Sequence, residues 1–84
     1  MKMLYCPKCR DVRKLQLEVV TCQCGSSSGW YESDGLKAVI GGDAIPLGFQ
    51  NTSFVEALKN QPEKGAGKVF EAFVIPKECP TVRR

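Results

Sequence analysis

Two couples of cysteine constrain this chain more than any other feature. Cys6-Pro7-Lys8-Cys9 and Cys22-Gln23-Cys24-Gly25 lie twelve residues apart, and a fifth cysteine, Cys79, stands alone far downstream. A disulfide framework normally has an even cysteine count and a secretory leader. Here the count is five, and the N-terminus carries no apolar leader core. Two tight pairs with a spacer between them are what four thiolates around one tetrahedral ion require, because each turn can set two sulfurs side by side. Pro7 fixes φ after the first cysteine, and Gly25 permits positive φ after the last. The chain has no histidine, so the simplest ligand set is Cys6, Cys9, Cys22 and Cys24. All-thiolate ligation suits Zn2+ in a reducing, cytoplasmic setting.

The need for such a staple follows from size. A chain of 84 residues leaves roughly 40% of its unfolded surface wet, which makes a hydrophobic core alone marginal. At 43% apolar and 25% charged residues, the composition is that of a folded globular domain rather than a disordered chain. No run approaches the length of a membrane span, so no membrane association is expected.

The two cysteine couples and their spacing resemble a zinc ribbon, a pair of zinc knuckles on β-hairpins, over residues 3–33. The resemblance implies a structural four-cysteine zinc site with little helix. The second knuckle has one residue between its cysteines where the family usually has two, which brings Cys79 into view as a substitute ligand. Against that stands the plainer reading of Cys79 as a buried or idle thiol between Glu78 and Pro80. Rubredoxin-like iron would use the same four thiolates, usually with two-residue gaps. A redox dithiol would use Cys6 and Cys9 alone, at a helix N-terminus that the residues after Cys9 do not encode.

The expected fold is mostly β, a small α+β domain spanning 1–84. A zinc-ribbon subregion at 1–33 continues into a β-rich subregion at 34–84. Leu4 and Tyr5 enter the first knuckle as a strand. Leu15, Leu17 and Val19 alternate with polar residues, which predicts a half-buried strand leading into Cys22. Gly25 to Gly29 reads as a flexible turn. Asp34-Gly35 between Trp30-Tyr31 and Leu36–Ile40 predicts a hairpin with a type I′ turn. Ala44–Phe49, interrupted by Pro46 and Gly48, reads as an edge strand or packed loop. Ser53 and Glu56 form a capping-box pattern that predicts a helix over 54–60. Val69–Ile75 reads as a final buried strand, followed by a frayed tail.

Chemistry beyond the metal is sparse. Lys64-Gly65-Ala66-Gly67-Lys68 lacks the first glycine and the Ser or Thr of a phosphate loop, and reads as a turn. Asp43 after two glycines reads as a turn residue. With no histidine, no carboxylate pair and a full ligand set, no enzyme is expected. Residues 1–14 hold five cations against Asp11 alone, but residues 15–35 add three acids and no base. That excess is small for a nucleic-acid binder, whose main affinity comes from phosphate neutralisation. The expected function is therefore a protein-interaction module, adaptor or inhibitor. Arg10, Arg13, Trp30 and Tyr31 form its expected contact surface, since these residue types concentrate at hot spots. A nucleic-acid-binding ribbon and a redox or metal-transfer protein are the alternatives.

Overall fold

The computed structural model describes all 84 residues. Eight short strands form two four-stranded sheets, with one helix at the margin. Sheet A runs in the order β2 (Val12–Lys14), β1 (Lys2–Tyr5), β6 (Ile45–Phe49), β7 (Ala72–Val74), and is antiparallel throughout. Sheet B runs β3 (Val20–Thr21), β4 (Ser27–Tyr31), β5 (Ala38–Gly42), β8 (Val82–Arg83), and only its last pairing is parallel. Leu4 from sheet A, Ala38, Ile40 and Val82 from sheet B, and Leu15, Ala44 and Ile75 outside the strands form one core that includes Cys6 and Cys22. Only 13 of 84 residues are buried, so the core is as small as the chain length implies.

The hairpin of β4 and β5 pairs Trp30 with Val39 and Tyr31 with Ala38. Its connection is wider than a two-residue type I′ turn. Glu32 N–H donates to the Lys37 carbonyl, Gly35 takes φ +70°, and Leu36 points into solvent. The Asp34 carboxylate accepts from the N–H groups of Leu36 and Lys37, an Asx arrangement that occupies donors the turn leaves free.

Six other elements differ from the expectation. The 15–19 segment is not a strand, and Leu17 and Val19 are exposed while Leu15 is buried. Tyr31 N–H donates to the Gln16 carbonyl, whereas Val20 pairs with Gly29. The segment thus spends four residues where β4 spends two, and this slack turns Leu17 and Val19 outward. The supposed flexible turn is short, because Ser27 already begins β4 and is buried.

The Pro46 strand is central rather than at an edge. Its carbonyl accepts from Ile75 N–H, so its polar edge faces β7. The Leu4–Pro46 pairing with β1 therefore demands no N–H from the proline. Conversely β7 is the sheet edge, and Phe73 and Val74 are exposed rather than buried.

The helix α1 spans Asn51–Lys59, three residues ahead of the expected start. Gln50 is its cap and accepts from Ser53 N–H, while Ser53 Oγ accepts from Glu71 N–H. No helix residue is buried. Phe54 instead joins Phe49 and Phe70 in a three-ring cluster with centroids 4.9–5.3 Å apart. The tail is not frayed: β8 lies parallel to β5, and Val82 enters the core.

Candidate metal centre

The two cysteine couples sit at the turns of two hairpins from different sheets. Cys6 and Cys9 lie in the β1–β2 connection of sheet A, and Cys22 and Cys24 in the β3–β4 connection of sheet B. The turns are built alike. Cys6 N–H donates to the Asp11 carbonyl and Arg10 N–H to the Cys6 carbonyl; Cys22 N–H donates to Ser27 and Gly25 N–H to Cys22. In each turn the residue after the second cysteine takes positive φ, Arg10 at 61° and Gly25 at 82°. Glycine accepts that conformation freely, whereas arginine holds it under strain.

Stacking the sheets brings the four sulfurs within 4.8 Å of one another. Cys6 Sγ lies 3.7 Å from Cys24 Sγ, and Cys22 Sγ lies 3.6 Å from Cys24 Sγ. A tetrahedron of metal–thiolate bonds of about 2.3 Å has edges of about 3.8 Å. Four soft donors at this spacing fit a metal ion. Cys6 and Cys22 are buried, Cys9 is half-buried and Cys24 is exposed.

The surroundings favour thiolate at two positions. Ser26 Oγ lies 3.2 Å from Cys6 Sγ and 3.1 Å from Cys24 Sγ, bridging the couples. With the nearby Ser27 hydroxyl and the Cys9 backbone, Ser26 draws the Cys6 thiol down to about 5. Ser27 Oγ is buried without completing a hydrogen bond, so it acts on Cys6 through proximity. Burial pushes the Cys22 thiol up, but Ser27 N–H donating at 3.3 Å and the neighbouring Cys24 outweigh it and leave Cys22 lowered. Burial dominates at Cys9 and raises it.

Two acids tie the site to its frame. Asp11 accepts from Arg13 at 2.7 Å and from Gln23 N–H of the opposite turn at 2.9 Å. Asp43 pairs with Lys8 at 3.1 Å, and its N–H donates to the Ser26 carbonyl. Asp43 is thus the turn residue its setting suggested, with an added role in bracing both couples. Ser26, Ser27 and Asp11 carried no sequence signal of their own; adjacency to the cysteines was the available clue.

Cys79 is outside the cluster. It makes an isolated bridge with Val82, and its thiol is lowered first by the Thr81 hydroxyl at 3.3 Å. Trp30 and Tyr31, two of the four residues expected to form a contact surface, face opposite ways. Side chains alternate along β4, so Tyr31 packs on the core with its hydroxyl accepting from Lys2 N–H, while Trp30 occupies the opposite face. Arg10 and Arg13 are exposed on the first hairpin, Arg13 engaged by Asp11.

No helix of the structure is long and apolar enough to cross a membrane. No family model, curated protein or solved structure matches the chain.

Proposed function

We propose that Cys6, Cys9, Cys22 and Cys24 hold one zinc ion in a zinc-ribbon arrangement, and that the folded chain works in the cytoplasm as a non-catalytic protein-interaction module. The observation that carries the metal reading is the meeting of four sulfurs from two separate sheets. An all-sulfur set suits zinc, and four protein ligands leave no open position for substrate, which favours a structural ion.

The interaction reading draws on the outer face of sheet A. Tyr5, Ile45, Met3, Leu47, Val12 and Val74 share that face by register. Contiguous apolar surface of this kind marks association sites in soluble proteins. Two cations near the metal, Lys8 and Arg13, are paired with Asp43 and Asp11, which leaves less free charge for phosphate than the sequence count suggested.

The test is a capture experiment with the zinc-loaded chain and its Val74→Glu variant. The wild type is expected to retain a defined protein, and the variant to lose it with metal content and circular dichroism unchanged. Equal capture by the variant, or salt-steep binding of RNA or DNA in its place, would overturn the interaction reading. Fewer than one zinc per folded chain would overturn the metal reading.

A further inference from the structure

At the margin where β2 and β3 come together the sandwich is closed. At the other margin, β6 and β7 part from β5 and β8 to leave a cleft of about 440 Å³, within the usual range for small-molecule sites. Ile40, Ile75 and Val82 line it, all from the buried core. The charged lining residues are Lys77, Arg83 and Arg84, and no acid is among them.

The three cations are not equivalent. Arg83 donates twice to Glu32 Oε1, at 3.1 and 2.6 Å, and is neutralised there. The Arg84 guanidinium donates to the carbonyls of Ala44 at 2.9 Å and Gly42 at 3.4 Å. Those acceptors fix its position without cancelling its charge, and a guanidinium has donors to spare. Lys77 takes part in none of the ion pairs. An apolar slot thus opens beside two cations that form no ion pair.

We propose that this cleft binds a small amphiphilic anion, a linear alkyl carboxylate whose chain lies against Ile45, Val74 and Pro76, above the buried Ile40, Ile75 and Val82, while its head meets Arg84 and Lys77. A neutral chain of the same length would satisfy only the apolar wall, and a cationic one would be repelled at the mouth. Charge-assisted hydrogen bonds to a positioned arginine are the stronger kind, and Arg84 is held before the ligand arrives.

The test is a ¹⁵N–¹H NMR titration of the folded, metal-loaded chain with decanoate, decanol and decyltrimethylammonium. Decanoate is expected to give saturable shifts at the Ile40, Ile75 and Val82 amides, with decanol and the cation binding about tenfold more weakly or not at all. Arg84→Gln should weaken decanoate by about tenfold. Because that change also frees the Gly42 and Ala44 carbonyls, Lys77→Gln serves as the second variant and should weaken it as well. Equal affinity for all three probes, no saturable shift, or undiminished decanoate binding in both variants would overturn the proposal. The cleft shares no lining residue with the cysteine cluster, so a negative titration leaves the metal reading intact.

Discussion

If the four cysteines hold zinc as proposed, removing that ion has the largest calculable consequence for the fold. The core contains five large aliphatic side chains, Leu4, Leu15, Ile40, Ile75 and Val82. At about 1.5–3 kcal/mol each, their burial contributes roughly 8–15 kcal/mol. A structural zinc site supplies about 10–16 kcal/mol of apparent free energy at neutral pH, as much as that whole aliphatic set. Net stabilities of domains lie near 5–15 kcal/mol, so the chain without its ion should fall to or below zero. We expect a strong chelator to abolish the cooperative thermal transition and the dispersion of amide NMR signals, and equimolar zinc to restore both. X-ray absorption of the restored protein should show four sulfurs at about 2.3 Å. Cys22→Ser, which removes a buried ligand, should mimic chelation. A chelated chain that keeps its native spectrum and a cooperative melt would refute the reasoning.

Three further outcomes follow from local geometry. Gly42 has φ +65°, and a Cβ there would lie 1.9 Å from the Ser26 carbonyl oxygen. Gly42→Ala should therefore cost about 3 kcal/mol or more, whereas Gly25→Ala, strained at φ +82° but with open space around it, should cost about 1–2 kcal/mol. Urea denaturation of the zinc-loaded proteins measures both, and equal losses would contradict the clash. Arg10→Gly should stabilise the metal-loaded chain by about 1 kcal/mol, since the native φ of 61° suits glycine; a lower urea midpoint would show that the arginine side chain contributes more than its backbone costs. Finally, N–H donation from Leu36 and Lys37 holds the Asp34 carboxyl below its ordinary 3.8. Its stabilising contribution is complete above that unfolded value and is lost as pH falls through the lower folded one. A carboxyl titration by ¹³C NMR placing Asp34 at or above 3.8 would refute this, and Asp34→Asn should remove that part of the acid dependence.

What the sequence revealed was local. Each cysteine couple is set by contacts a few residues apart, and the hairpin around Asp34-Gly35 follows from its own turn chemistry, so both were legible. The alternation of Leu15, Leu17 and Val19 misled because the offset against β4 is set by the two tethered couples, not by the segment itself. The apolar run at 69–75 marked a strand, of which only Ala72–Val74 forms. It could not say that β7 would be an edge, since the layer that would cover Phe73 and Val74 is a property of the whole sheet. Pro46 argued for an edge strand, and only knowledge of which side its carbonyl faces reverses that inference. β8 was illegible for a different reason: its parallel pairing with β5 joins residues more than forty apart, and two residues carry no period. Ser26 and Ser27 look like linker composition until the second turn is seen to wrap its sulfurs around them.

The sulfur cluster and the Gly42–Ala44 crossover between the sheets lie at the same end of the sandwich, joined by Asp43 N–H on the Ser26 carbonyl. At the opposite end, the hydrogen bond from Lys2 N–H to the Tyr31 hydroxyl and that from Lys2 Nζ to the Leu36 carbonyl are the polar ties across the sheets. Thermal opening should therefore begin at that second end and spread toward the first, as a hinged shell parts at its lip. Deuterium should enter the Tyr31–Ala38 region well before it reaches Cys6 and Ser27, a gradient of breathing laid along one axis of the molecule.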